Sequence, residues 1–195
     1  MRTLTKPQFW NILRLFYVNK NSPLHLRQIS RDIKIQESAT FRQLNELEKK
    51  EILSAVKEAN LKKFHINPKY IPEIFPSFDE EKLEKLSLLR KKAIKTYLNN
   101  LTDKPIIMIV FGSTAKGTYK NDSDIDILEI FQVKTDTKKA RMEAESMTGI
   151  RIQTFQMTYK DFIKELKIKE DKVIQSAIES GFPVFNSRHY YEVRQ

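Results

Sequence analysis

The sequence predicts a mixed α/β protein, α+β in overall layout, made of two folding units. Three observations carry this. Residues 1–70 show helical apolar periodicity that gives way to a hairpin-like stretch. The same residues hold 14 Lys/Arg against 6 Asp/Glu, a net of +8, whereas the whole chain carries +10. Two of only four glycines fall in residues 106–117, where an apolar run ends in a turn and a second strand-like stretch follows. The expected division is residues 1–70, a proline-rich connector over 71–79, and residues 80–195.

In the first part, Thr5-Lys6-Pro7-Gln8 reads as a helix start. Thr5 caps, Gln8 caps back, and Pro7 is tolerated in the first turn. Phe9, Trp10, Ile12, Leu13, Leu15, Phe16 and Val18 form a broad apolar face. A second helix is expected over about Leu26–Ile33. A third, over about Ser38–Lys50, is expected to bury Phe41, Leu44 and Leu47 and to expose Thr40, Arg42, Gln43, Asn45 and Glu46. Residues 52–56 and 61–66 alternate as strands around a turn at Glu58-Ala59-Asn60.

Two short helices, a further helix and a basic hairpin resemble a winged helix-turn-helix domain. Glu51 departs from the pattern, standing where such proteins often have glycine. The resemblance implies that the third helix enters the major groove of DNA. Thr40, Arg42, Gln43 and Asn45 are then the base- or phosphate-facing candidates, and Lys57, Lys62 and Lys63 the phosphate contacts of the wing. The positive front end agrees with a nucleic-acid partner. The competing reading is a dimerisation or protein-docking module.

Pro68, Pro72 and Pro76 crowd the connection, with Tyr70, Ile71, Ile74, Phe75 and Phe78 between and beyond them. This composition predicts a stiff, extended segment. Ser77-Phe78-Asp79-Glu80 then reads as a capping box opening one long helix. Its apolar stripe is Leu83, Leu86, Leu89, Ala93, Ile94, Tyr97, Leu98 and Leu101.

Ile106–Phe111 is an unbroken apolar run, expected as a central strand covered on both faces. Gly112-Ser113 ends it. The amides there, the Ser113 hydroxyl, the start of a short helix and the Lys116 charge suit phosphate oxygens. Asp124-Ile125-Asp126 opens the next strand, and side chains at i and i+2 share a face. Two carboxylates so placed suit Mg²⁺, or Mn²⁺, together with substrate phosphates.

Gly112-Ser113, a ten-residue gap and Asp124-x-Asp126 resemble the signature of the DNA polymerase beta-like nucleotidyltransferase superfamily. The surrounding Thr114-Ala115-Lys116-Gly117 and Ser123–Leu128 are similar to its minimal prokaryotic members, with Lys116 where Arg is usual. The resemblance covers roughly residues 80–160. It implies a short mixed sheet flanked by helices, and transfer of a nucleoside monophosphate from an NTP, ATP first, to an acceptor hydroxyl with release of pyrophosphate. Asp124 and Asp126 are then catalytic and metal-binding, and Gly112, Ser113 and Lys116 nucleotide-binding. It also implies a protein partner, such as a toxin modified by an antitoxin. A homodimer is compatible with a winged helix.

The family's third carboxylate has no acid to match it. The position falls at Gln153 or Thr154, and a neutral amide is no general base. Glu129 is expected on the opposite strand face from Asp124 and Asp126. Whether the chain is an enzyme therefore stays open at this point. The alternative is a DNA-binding regulator or antitoxin whose second domain only binds nucleotide or a partner.

A helix is expected over about Thr135–Met147, then a strand near 149–157. Two more helical stripes follow, Phe162/Ile163/Leu166/Ile168 and Val173/Ile174/Ala177/Ile178, before Gly181-Phe182-Pro183. The chain has no cysteine, which excludes disulfides and Cys-ligated zinc. His25, His65 and His189 lack metal-ligand spacing. The longest apolar run is far shorter than the roughly 20 residues of a membrane span. The first seven residues lack the apolar core of a secretion signal. A soluble, cytoplasmic protein with no membrane partner is expected.

Overall fold

The computed structural model describes residues 7–195. The expected cap at Thr5 lies outside them. The chain divides after Phe78 into two compact units.

The first unit begins with α1 (Pro7–Val18), which buries Phe9, Ile12, Leu13 and Phe16. A two-residue strand, β1 (Leu24–His25), leads into α2 (Leu26–Ile33), whose N-terminus is capped by the His25 ring accepting from Gln28 N–H. Then come α3 (Glu37–Lys49), β2 (Leu53–Glu58) and β3 (Leu61–Ile66). β3 lies between β1 and β2, antiparallel to both.

The phase of α3 differs from the sequence expectation. Its inward face is Thr40, Leu44 and Leu47, spaced i, i+4, i+7. Phe41 is 45% exposed and Thr40 is 0% exposed. Thr40 can be buried because its hydroxyl reaches the Ile35 carbonyl at 3.5 Å. The same carbonyl accepts from Ser30 Oγ.

The end of α3 is built without glycine. Glu51 takes φ +56°, while Glu51 N–H bonds Glu48 O at 2.8 Å and Ile52 N–H bonds Leu47 O at 3.0 Å. That is the bond pattern of a Schellman cap, with a glutamate in the left-handed position glycine normally fills.

The connector is not extended. After a 3₁₀ turn at Pro68–Tyr70, α4 runs over Ile71–Glu84 with Pro76 inside it. Ile71, Ile74, Phe75 and Phe78 fall at i, i+3, i+4, i+7, and the last three are buried. Phe78 meets Trp10 edge-on at 5.3 Å and Phe75 meets Tyr17 at 5.2 Å. The apolar spacing outweighs the prolines. Nor does one long helix start at Ser77: α5 (Leu88–Asn100) is separate, with Ser87 at its N-cap.

The second unit continues through β4 (Ile107–Phe111), α6 (Gly112–Lys116), β5 (Ile125–Phe131) and α7 (Lys138–Thr148). It ends with β6 (Ile152–Thr158), α8 (Tyr159–Ile168), α9 (Lys172–Ser180), β7 (Phe182–Phe185) and α10 (Ser187–Glu192). The sheet order is β6-β5-β4-β7. β5 and β6 are parallel, joined through α7; the other pairs are antiparallel. Met108, Val110, Ile125, Ile127 and Ile152 form a core with Ala93, Ile94 and Tyr97 of α5 and Ala140 and Ala144 of α7. α8 packs on β5 and β6, with Phe162 buried. Gly181-Phe182-Pro183 does more than stop a helix, because Phe182 and Pro183 begin the edge strand β7.

Candidate functional site

All five residues of β4 are buried, so the strand delivers Gly112 at a fixed point. Gly112 adopts φ +65°. A Cβ there would overlap Asp126 Oδ2 and stand 3.0 Å from its Cγ. Glycine is required twice over, by backbone angle and by the carboxylate packed against it. The register explains the closeness: Phe111, the residue before Gly112, pairs with Asp126.

Asp124 stands one residue ahead of β5 and Asp126 is its second residue. Both are half-buried. Burial raises the Asp126 pKa, and the Asp124 charge raises it further. The second cause means that the two carboxylates lie close enough to repel. That is an electrostatic arrangement a cation would relieve.

Ser113 is half-buried within α6 and Lys116 is exposed at its last turn. Gly117 follows at φ +72°. No space limit applies there, so this glycine serves the left-handed helix stop alone.

The loop from α6 to Asp124 is pinned by Arg90, a side chain only 2% exposed. One guanidinium nitrogen donates to Thr114 Oγ1 at 2.9 Å and to Asp124 O at 3.4 Å. The other donates to Lys120 O at 2.9 Å and Ser123 O at 2.6 Å. The guanidinium also lies over the Tyr119 ring at 4.1 Å. Burial lowers the Arg90 pKa, and Tyr119 and Asp124 oppose that shift. Arg90 thus fastens the Gly112–Lys116 turn and the Asp124 segment to α5. Sequence reasoning passed over it. Its signal was an arginine inside the apolar stripe formed by Leu86, Ala93, Ile94 and Tyr97.

A comparison with protein families matches residues 92–189 to the family described as polymerase beta, nucleotidyltransferase. The chain belongs to the polymerase beta nucleotidyltransferase family. A comparison with curated proteins gives no match. Among solved structures, one described as a crystal structure of the toxin-antitoxin with AMP-PNP is 21% identical. That match covers 52% of this chain and 77% of the other, with a TM-score of 0.38. Another, described as TrmBL2, an archaeal chromatin protein with a novel mode of DNA binding, is 18% identical. It covers 91% of this chain and 73% of the other, with a TM-score of 0.27.

Within this polymerase beta-type nucleotidyltransferase unit, Gln153 of β6 is the register partner of Asp126. Thr154 pairs instead with Ile127, which belongs to the core face. The residue beside the acid pair is therefore the amide. Glu129 is fully buried on the α5 side, where it accepts from Tyr97 Oη and from Gln156 Nε2 at 2.9 Å. Burial raises its pKa while these donors lower it, and burial holds the Tyr97 hydroxyl well above its ordinary range. Glu129 is a core carboxyl and plays no part at the Asp124–Asp126 pair.

Among the described residues no group of three or more His, Cys, Asp or Glu is placed to hold a metal ion. The donor set is two carboxylates. Their hard oxygens and mutual repulsion fit Mg²⁺ or Mn²⁺ whose remaining ligands come from substrate phosphates and water.

The candidates in the first unit are not all available. Thr40 is withdrawn into the core, so it cannot reach a base. Arg42 is exposed, Asn45 and Gln43 are half-buried, and Gln43 Oε1 is turned inward. Lys62 donates to Glu48 at 2.6 Å, and Lys63 is ion-paired with Glu58. Lys57 is exposed, opposite Lys62 across the hairpin. No helix among the described residues is long and apolar enough to cross a membrane.

Proposed function

We propose that this chain is a metal-dependent nucleotidyltransferase whose site is Gly112, Ser113, Lys116, Asp124 and Asp126. The observation that carries the reading is the packing of Asp126 against the left-handed Gly112, with Asp124 two residues earlier at the head of the same strand. The turn offers main-chain N–H groups and a hydroxyl to the triphosphate, and Lys116 adds positive charge. Asp124 and Asp126 would hold Mg²⁺, which when bound supplies charge neutralisation for the phosphates. Arg90 keeps the turn and the acids in one frame. The product is a nucleoside monophosphate ester of an acceptor hydroxyl, with pyrophosphate released.

Calorimetry with ATP and Mg²⁺ tests the binding step, and labelled nucleotide offered with acceptors tests transfer. Both signals should vanish in the Asp124→Ala/Asp126→Ala double variant. Binding or label incorporation that survives it removes the assignment.

A second reading is favoured by Gln153 beside Asp126. A neutral amide brings no charge to a second cation and takes no proton from an acceptor. In this reading the unit binds nucleotide with one metal and reports on it, without transfer. Robust transfer by the unaltered protein rejects it.

For the first unit we infer a winged-helix DNA-binding role. Its support is the net charge of +8 over residues 1–70 and the exposure of Arg42 and Lys57. Gln43 and Asn45 are the neighbouring polar candidates. Lys62 and Lys63 would have to exchange their glutamates for phosphates. Affinity for duplex DNA should fall steeply with salt. A flat salt response, or equal binding after deletion of residues 1–70, defeats this role.

A further inference from the structure

The two edges of the second unit's sheet are finished differently. β7 is four residues long and contains Pro183, so that edge is short and lacks a donor. β6 is seven residues long and its outer side is open. The orientation of its main chain follows from one hydrogen bond. Ile125 N–H donates to Arg151 O at 2.9 Å, and Ile125 is the register partner of Ile152. In a parallel ladder this makes Arg151, Gln153, Phe155 and Met157 the residues bonded to β5. Ile152, Thr154, Gln156 and Thr158 turn their N–H and C=O groups outward. Glu145 Oε1 takes the Ile152 N–H at 2.8 Å. Among the described residues none bonds the outward main-chain N–H or C=O of Thr154 or Gln156.

Exposed edges are normally blunted by charge, proline, bulges or brevity. β6 has none of these. Ile-Gln-Thr-Phe-Gln-Met-Thr carries no charged residue in a chain that is 31% charged. Its backbone is also held in place from within. The Gln156 side chain donates to Glu129 at 2.9 Å, to Thr135 O at 2.9 Å and to Thr137 Oγ1 at 3.2 Å. A pre-set edge loses little freedom on pairing.

We propose that β6 is a strand-pairing surface whose occupant is β6 of a second copy of this chain. The two four-stranded sheets join antiparallel into one of eight strands about a two-fold axis. The charge pattern selects this occupant. Two copies at +10 each repel, and they approach most easily along a stretch that carries no charge. The strand is also self-complementary. The register that pairs all seven residues lets Thr154 exchange both main-chain hydrogen bonds with Gln156 of the second copy. It sets Phe155 against Phe155 in a non-hydrogen-bonded pair, with Cβ atoms about 4.5–5.5 Å apart. The contact is isologous and closed, so it ends at a dimer. It holds whether or not the unit transfers nucleotides.

The test uses the full chain and four substitutions. Thr154→Pro deletes an outward N–H while leaving the ladder to β5 intact, and Met157→Lys adds a charge to the edge. Sedimentation equilibrium should give twice the monomer mass for the unaltered protein and the monomer mass for both variants, with far-UV circular dichroism unchanged. Phe155→Cys places the chain's sole thiol at the self-facing position, since the sequence has no cysteine. Mild oxidation should link two chains there. It should not do so in Met147→Cys, an exposed site on α7. A monomer at roughly 0.1 mM, a concentration at which even weak pairing registers, overturns the proposal. So do folded Pro and Lys variants that keep the dimer mass, or equal cross-linking at 155 and 147.

Discussion

Asp126 occupies the space that any side chain on residue 112 would need. The carboxylate lies against the bare face of Gly112, and the register of β4 on β5 brings the two together. Gly112→Ala therefore meets two penalties. A left-handed alanine costs about 1–2 kcal/mol, and its methyl group displaces the acid. We expect a lower urea midpoint and, at a temperature where the variant is folded, at least about a tenfold loss of Mg²⁺–ATP affinity, equal to 1.4 kcal/mol. Calorimetry alongside urea unfolding reads both. A stable variant with unchanged affinity would mean that Asp126 does not need its observed position.

Arg90 is bonded to both halves of the site, to Thr114 in the turn and to the Ser123 and Asp124 carbonyls before the strand. Arg90→Met keeps apolar bulk but leaves buried acceptors without a donor. The cost expected is on the order of 3 kcal/mol. Arg90→Lys keeps the charge but not the fork and should recover only part of it. A merely structural arginine would lower stability and leave ligand linkage alone. A positioning arginine also weakens the dependence of ATP affinity on Mg²⁺. Titrations of ATP at several Mg²⁺ concentrations separate the two.

The site's polar core was legible because glycine is scarce in this chain and Gly112, Ser113, Asp124 and Asp126 keep a fixed spacing. Arg90 was marked only by its place in an apolar stripe; what it holds was not legible, because its acceptors are mostly main-chain carbonyls, which leave no mark on a sequence. The phase of α3 departs from the rule that a phenylalanine faces inward. Phe41 faces out, and Thr40 is buried with its hydroxyl on the Ile35 carbonyl. In the connection, Pro68, Pro72 and Pro76 argued for an extended chain while Ile74, Phe75 and Phe78 argued for a helix. Packing of the apolar residues decided the outcome, since Pro72 sits in the first turn where a missing N–H costs nothing.

The raised pKa of Asp126 has a definite sign in stability. Above the ordinary aspartate range, the native carboxyl still holds a proton that the unfolded chain has released. Stability therefore falls as pH rises through that window. Asp126→Asn removes this contribution and should raise the neutral-pH melting temperature of the metal-free protein. Part of the slope remains, because Glu129 is shifted in the same direction. Melting curves between about pH 4 and about pH 7 test the slope. Calorimetry should show that the stabilised variant no longer binds Mg²⁺–ATP. A lower melting temperature at neutral pH would contradict the repulsion inferred between Asp124 and Asp126.

Glu51 closes α3 at φ +56° where glycine would be unstrained. Glu51→Gly relieves roughly 1 kcal/mol of left-handed strain. It loses the exposed pair with Lys69 at 2.9 Å, which solvent screens. The net change should raise the melting temperature of the first unit by about 2 °C or more. Differential scanning calorimetry measures it. A fall would show that the Lys69 contact organises the turn more than the backbone angle strains it.

Gln153 stands beside Asp126 with an amide where a third carboxylate would complete the acid set. Gln153→Asp adds a carboxylate on a side chain one methylene shorter than the glutamine it replaces. In the metal-free protein the added carboxylate crowds two others, so the melting temperature should drop. With Mg²⁺ present the loss should be recovered, because a cation that binds only the folded site stabilises it in proportion to its affinity. If the unaltered chain is slow in transfer for want of a base, the variant should transfer nucleotide faster at neutral pH, by about a hundredfold for a well-placed base. A variant that melts earlier, recovers with Mg²⁺ and still transfers no faster would place the limit elsewhere, in the acceptor or its approach.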